Sequence, residues 1–571
     1  MILFNKVSQQ FWNAMIKMNV EEVKSLMEQT NNQNIVININ EKNYKGYTPL
    51  TWAIRKKNSE LVKLLIDYAD QNDVILKVNS KNCDVHSPFT WAIKKNCVEI
   101  VKLIIDYANH HYILLRINEK NYDSYSSFSY AILNNNAELV KVLVEYAIDH
   151  KVNIKLNDKN MEKYSPLGLA FHSNNYDIIK YIFYYADRSD ILLNFNEKYK
   201  DNKTPLLILL LAKNIKILEL FFGYAARHDL ELDINAKQYK TYGNFPLLMV
   251  VLENNPQIMK LLMNYAENMG IILNVNEKDG GRDALYVAIK NNYIEMVKLL
   301  MKYANRHNII LNINDKILKI HEIGYYPLYV AVLNNYVEIV QLLISYAEEK
   351  NISLNINDKD RNGNFPLILA IKNDSSEIIS LLLNYADRHP DITLDINKED
   401  RNNVCSLHLA IKNNKIELVK ILIDYVNRNH LSIPINEKRL FLEAVKNKNI
   451  VIMNLLIDYA NNNNITININ DCYGYESSLY YATFIIKDVE IVKILIDYAN
   501  QQNILLDIEN YLCRNVYDVT LPIMDILIQY GKDHDIPIDS NILDQYMNRS
   551  IKCKFNSIYH LFLLIILFYN K

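Results

Sequence analysis

The chain has 571 residues, half of them apolar, and a formal net charge of −2. That length exceeds what one hydrophobic core fills, so several domains or one long array are expected. The near-neutral balance exerts no overall pull toward nucleic acid or an acidic membrane surface.

The abundance of Asn, Ile, Lys and Tyr, all with AT-rich codons, reads as nucleotide bias rather than function. Cys83, Cys97, Cys405, Cys472, Cys513 and Cys553 form no CxxC pair and no metal-ligand spacing. They read as free thiols of a reducing compartment, and the start "MILFNKVSQQ" lacks the pattern of a secretory signal. An intracellular, cytoplasmic location is therefore expected, with the nucleus left open.

Taken in chain order, "FWNAMIKMNVEEVKSLMEQT" at 11–30 shows helical periodicity but half of the later pattern, so 1–34 is expected to be a capping half-repeat. From residue 35 the chain repeats itself. The word LIDYA stands at 65–69, 456–460 and 495–499. Its tyrosine recurs at Tyr68, Tyr107, Tyr146, Tyr185 and Tyr224, each 39 residues apart. The series continues at Tyr265, Tyr303, Tyr346, Tyr385, Tyr425, Tyr459, Tyr498 and Tyr530, so thirteen units follow the opening one. Self-similarity at this period marks a stack in which each unit covers its neighbour's apolar face.

Each unit has three parts. "TPLTWAIRKKN" at 48–58 predicts a short helix, capped by Thr48 and entered through Pro49. "SELVKLLIDYA" at 59–69 predicts a second, with Leu61, Leu64, Leu65 and Tyr68 on one face. Val74, Leu76 and Val78 then alternate, the period of an extended segment with one buried side.

These residues resemble the ankyrin-repeat family, whose first helix opens T-P-L-H-x-A. TPL stands at 48–50 and 204–206, SPL at 165–167, FPL at 245–247 and 365–367, and "CSLHLAI" at 405–411 keeps the histidine as His408. The resemblance covers roughly 10–530 and implies an all-α solenoid of helix-turn-helix units with short β-hairpin-like fingers. The family ends its second helix with a glycine, but here Ala69, Ala108, Ala147 and Ala186 hold that place and only Gly531 restores it. Alanine favours helix over glycine by about 1 kcal/mol, so the second helix is expected to run on by about a turn. The motif histidine is replaced by Thr51, Thr90, Ser129, Leu248 or Tyr286, so any hydrogen-bond ladder it makes is expected to be weak or absent.

Two irregularities stand out. The unit around Tyr459 has lost its TPL segment, and "DKILKIHEIGYYPL" at 315–328 lengthens one finger, read either as harmless drift or as a binding finger. Residues 35–540 form the expected array and 541–571 a C-terminal capping helical segment. The apolar run 558–569 is short for a membrane span and reads as a cap, with membrane insertion or partner docking as alternatives.

No GxxxxGK[ST], GxGxxG, HExxH or GxSxG segment is present. The dispersed histidines, His110 and His111 among them, read as solvated. No enzyme activity, cofactor, metal or small-molecule substrate is expected. What the resemblance implies is a scaffold that binds a protein on its concave finger and inner-helix surface. The rival is an adaptor whose C-terminal segment recruits a second protein or a membrane while the repeats select cargo. Family positions, carried over unit by unit, give a finger set of Tyr44, Lys45, Tyr47, His86, Tyr122, Tyr125 and Arg361. The helix-end set is Arg55, Lys56, Lys94, Lys95, Lys290, Lys372 and Lys412. This second set makes a basic ridge, either a helix-dipole preference of cations or recognition of an acidic partner. Nucleic acid is not expected, because Leu211, Leu252 and Glu253 interrupt the ridge. Leu299, placed in a central interface, is expected to cost ~2–5 kcal/mol on truncation to alanine.

Overall fold

The computed structural model describes residues 2–552, apart from 44, 83–84, 200–202, 238–244, 318–323, 438, 471–476 and 509–518. Two compact units divide the chain. One comprises Met1–Ala288 with Glu295–Leu311, the other Ile289–Ile294 with Asn312–Lys571.

In the N-terminal unit a short first helix (Pro49–Arg55, Pro88–Lys94, Ser127–Leu133, Pro166–Ser173, Pro205–Ala212, Pro246–Leu252) alternates with a second of 13 residues. The second helices include Ser59–Gln71, Val98–His110, Ala137–Asp149 and Tyr176–Arg188. The opening unit, read as half a repeat, has both helices, Ile2–Lys17 and Val20–Asn32. Entry to each helix is set locally. Thr48 Oγ1 accepts the Thr51 N–H at 3.2 Å with Pro49 in the first turn, and Asn58 Oδ1 accepts the Leu61 N–H at 2.9 Å. Such caps contribute about 1 kcal/mol each.

The second helix does continue past the alanine. Ser59–Gln71 ends beyond Ala69, and the left-handed stop falls at Asp73 (φ 51), four residues later. There the Val74 N–H reaches back to the Ala69 carbonyl at 2.9 Å, closing a Schellman-type cap. Ile113 to Ala108 and Val152 to Ala147 repeat it at 2.7 and 2.8 Å. In the C-terminal unit Gly531 is no helix stop: it lies inside Leu521–Asp533, and Asp535 takes the positive φ. Its missing Cβ makes room for Ile538, whose Cδ1 would otherwise stand 2.8 Å away.

Leu61, Val62, Leu65, Tyr68 and Ala69 form the buried stripe, while Leu64, four residues before the tyrosine, is half-exposed. Leu299 holds that same post before Tyr303. It is half-buried too, beside a hollow of about 210 Å³, and the fully buried residue is Leu300. The expectation for Leu299 is corrected accordingly.

After the second helix Leu76 and Val78 point inward and Ile75 and Lys77 outward, as the alternation predicts. Yet no strand forms among the described residues; only one isolated bridge, Asp279 to Arg282, is present. Side chains of the flanking repeats take the place of a sheet. The Leu76 N–H donates to Tyr107 Oη at 2.9 Å. Asn40 Nδ2 donates to the Ile75 carbonyl at 2.8 Å while its Oδ1 accepts the Lys77 N–H at 3.0 Å. Tyr146 with Leu115, and Asn79 with Leu114 and Arg116, repeat the arrangement one unit on. Tyrosine and asparagine, read from composition as codon bias, thus occupy defined posts in repeat after repeat. The finger tips are tight turns: the Asn43 N–H reaches the Tyr47 carbonyl at 3.0 Å and Asn43 Oδ1 accepts the Lys45 and Tyr47 N–H groups. The loss of the histidine does not abolish a ladder either, because buried hydroxyls link Ser87 to Thr90 and Thr90 to Ser127 of the next repeat, each at 2.9 Å.

The C-terminal unit repeats this plan through Pro327–Leu333 and Val337–Glu349, Pro366–Lys372 and Ser376–Arg388, and Ser406–Lys412 and Ile416–Arg428. Tyr385, Tyr425 and Tyr498 accept the N–H groups of Leu354, Leu394 and Ile467. The unit without TPL still forms Leu440–Lys446. The following first helix, opening at Ser478, becomes a π-helical turn over Tyr481–Ile486. Eleven positions separate the caps Ser477 and Asp488 where Thr48 and Asn58 are ten apart, and a wider turn absorbs the extra residue. Residues 540–552 are helical, with Tyr546 donating to Asp525 and Arg549 to the Val519 carbonyl. The apolar run 558–569 and the finger insertion at 318–323 lie outside the described residues. No described helix is long and apolar enough to cross a membrane.

Candidate partner-binding surface

The related words "TPLTWAIRK" and "SPFTWAIKK" place an indole three positions before a cation, so Trp52 with Arg55 and Trp91 with Lys94 share a helix face. The Arg55 guanidinium lies 4.2 Å from the Tyr47 ring centre, 5.9 Å from Trp52 and 5.1 Å from Trp91 of the next repeat. Lys94 stands 5.2 Å from Trp91 and 5.1 Å from Tyr130, one repeat further, and its Nζ donates to His86 Nε2 at 3.0 Å. Lys56 lies 5.7 Å from Trp52 and Lys95 5.6 Å from Trp91. His86 meets Trp91 and Tyr130 edge-on, at 5.3 and 5.6 Å. Rings and cations therefore alternate across three consecutive repeats. Each such contact is worth ~0.5–2 kcal/mol, the higher value where water is excluded.

The structure sorts the predicted residues. Tyr44 lies outside the described residues. Lys45 and Tyr122 are exposed at finger tips, Tyr122 to 71%. Tyr47 and His86, expected at the finger surface, are buried at 5% and 3% exposure, where Tyr47 lies against Arg55 and His86 against Lys94. Tyr125 is half-buried with its ring 5.9 Å from Tyr130. Burial, then the charge of Glu162, pushes the Tyr125 phenol up, and burial, then Asp123, does so for Tyr130. Trp52, Trp91 and Tyr130 were missed as a set; the signal was an aromatic at the same motif position in three successive units. His111, read as solvated, instead lies against Tyr107 with ring centres 4.3 Å apart and planes tilted by 43°, and meets Asp70 Oδ1 at 2.7 Å.

In the C-terminal unit Lys290, Lys372 and Lys412 are exposed on first helices and Arg361 on a finger. Lys372 is neutralised in place, reaching Asn364 Oδ1 at 2.7 Å and Asp400 Oδ2 at 3.3 Å. Burial works to raise the Asp400 carboxyl, but the Asn402 and Val404 N–H groups and Lys372 outweigh it and hold it below the usual carboxylate range. Lys446 meets Glu443 at 3.6 Å. By contrast, Arg55, Lys56 and Lys95 enter no ion pair among the described residues and are held by rings alone. The indole N–H groups of Trp52 and Trp91 have no acceptor among the described residues. No described group of three or more His, Cys, Asp or Glu is placed to hold a metal ion.

Paired helices joined by turns, stacked through a repeated tyrosine and asparagine, define a helical repeat solenoid. The profile described as "Ankyrin repeats (3 copies)" matches residues 71–154, 206–315, 247–358, 308–394, 328–431 and 407–507, and that of the single "Ankyrin repeat" matches 45–75. More than half of the chain is covered, and the chain belongs to the ankyrin-repeat family. Such repeats are generally protein–protein interaction modules and typically non-enzymatic. No curated protein matches the chain.

Proposed function

We propose that this protein is a non-enzymatic, cytoplasmic binding scaffold whose partner docks on finger tips and first helices. One observation carries the reading: a pre-ordered cluster of cations and rings spans three repeats, with Arg55 fixed between Tyr47 and Trp91 of the next repeat. A surface already ordered before binding loses little side-chain entropy when a partner arrives. Segment 541–571 serves as the cap of the array, supported by the contacts of Tyr546 and Arg549 with the last repeat.

Site-specific photocrosslinking tests this. A benzophenone side chain replacing Tyr122, at a finger tip, is expected to capture a discrete partner in cells. The same probe replacing Lys63 or Lys180, exposed on second helices, captures none. Equal capture from both faces overturns the proposal.

A further inference from the structure

Resting on that reading, we infer that the surface built by repeats two to four takes an acidic, extended peptide segment, with its carboxylates meeting Arg55, Lys56, Lys94 and Lys95. Three observations converge. Arg55, Lys56 and Lys95 have no carboxylate partner among the described residues, whereas Lys372 and Lys446 elsewhere are paired within the fold. The cations come as neighbouring couples, Arg55 with Lys56 and Lys94 with Lys95, on first helices that pack against each other. Packed helices lie about 8–10 Å apart, close to the ~10 Å that three residues of extended chain cover. Acidic side chains at such intervals meet one couple and then the next.

The same geometry argues against nucleic acid, although aromatic side chains among cations are a signature of single-strand binding. Base stacking needs open ring faces. Trp91 is only 7% exposed, and Arg55, Lys94 and Lys95 all lie within 5.6 Å of its ring centre. The rings hold the charges outward and leave bases nothing to stack on.

The test uses the full chain and a fluorescent 20-residue peptide with Glu at every third position and Ser between, measured by anisotropy at low and high salt. The Gln-for-Glu peptide, a 20-nucleotide single-stranded DNA and free citrate serve as competitors. The Glu peptide is expected to bind, to weaken as salt screens the charges, and to perturb tryptophan emission. The triple variant Arg55→Met, Lys56→Met, Lys95→Met keeps the apolar stems over the rings, and it should lose about tenfold in affinity. Its circular dichroism spectrum should match that of the parent, with the melting temperature lowered only by the loss of its cation–ring contacts. Affinity unchanged in the triple variant, equal binding of the Gln peptide, or stronger binding of the DNA overturns the acidic-peptide inference. So does competition by citrate as effective as by the peptide, which assigns the surface to small anions. Photocapture at Tyr122 surviving any of these results leaves the scaffold reading intact while this inference falls; loss of photocapture alone removes the scaffold reading.

Discussion

Replacing Tyr107 by Phe isolates one rung of the ladder that joins repeats. The ring stays, so the buried apolar contact is retained, but the acceptor for the Leu76 N–H at 2.9 Å is gone. That amide is then buried without a partner, which costs ~1–3 kcal/mol. Coupling in a repeat array is between nearest neighbours, so the loss is felt at residues 74–78 and not two repeats away. Hydrogen exchange resolved to single amides is the natural assay, because local opening is set by local free energy. At ~1.4 kcal/mol per factor of ten, the Leu76 amide is expected to exchange about 10–100 times faster, while Ile154, whose N–H meets Tyr185 at 2.8 Å, is unchanged. Tyr112→Phe, altering a side chain that is 97% exposed, is the control and should move neither amide. If the Leu76 amide in Tyr107→Phe exchanges as in the parent protein, the tyrosine hydroxyl is not what protects it, and the account of how repeats are held without a sheet fails.

Further outcomes follow from other posts in the repeat. Leu300→Ala should cost ~2–5 kcal/mol by denaturant titration and Leu299→Ala less than half of that, since only Leu300 is fully buried; equal losses refute the assignment of the core stripe. Gly168→Ala sets a methyl 2.6 Å from Tyr199 Cε1, so it should destabilise by ~1–3 kcal/mol, with relief when Tyr199 is also replaced by Leu; a neutral Gly168→Ala shows that the ring has room to move. Burial raises the phenols of Tyr107, Tyr146, Tyr303 and Tyr385, and that of Tyr224 to about 12. The folded values exceed the ordinary one, so this contribution to stability is fully present below about pH 10 and is lost as pH rises toward the folded values. Helical circular dichroism should fall above about pH 10 together with the last part of the phenolate absorbance, that of the buried rings, and absorbance that reaches its full value for all 41 tyrosines before any loss of helix refutes the role of burial.

The sequence by itself determined the helices, their caps and their periodicity, because these depend on residues within four positions of one another. Thr48, Pro49 and Asn58 do locally what their types dictate, and replacing glycine by Ala69 carried the left-handed stop four residues onward. Only the tertiary structure decided what the tyrosine and asparagine are for, since Tyr107 and Leu76 are 31 residues apart and Asn40 and Lys77 are 37 apart. Neither period-two alternation nor composition carries that information: alternation tells which side is buried, not what satisfies the backbone. The surface divided in the same way. The cations were legible from motif position, but the burial of Tyr47 and His86 against them was not. Arg55 became a clamped charge through stacking against Trp91, a residue of the next repeat that no local pattern assigns to it.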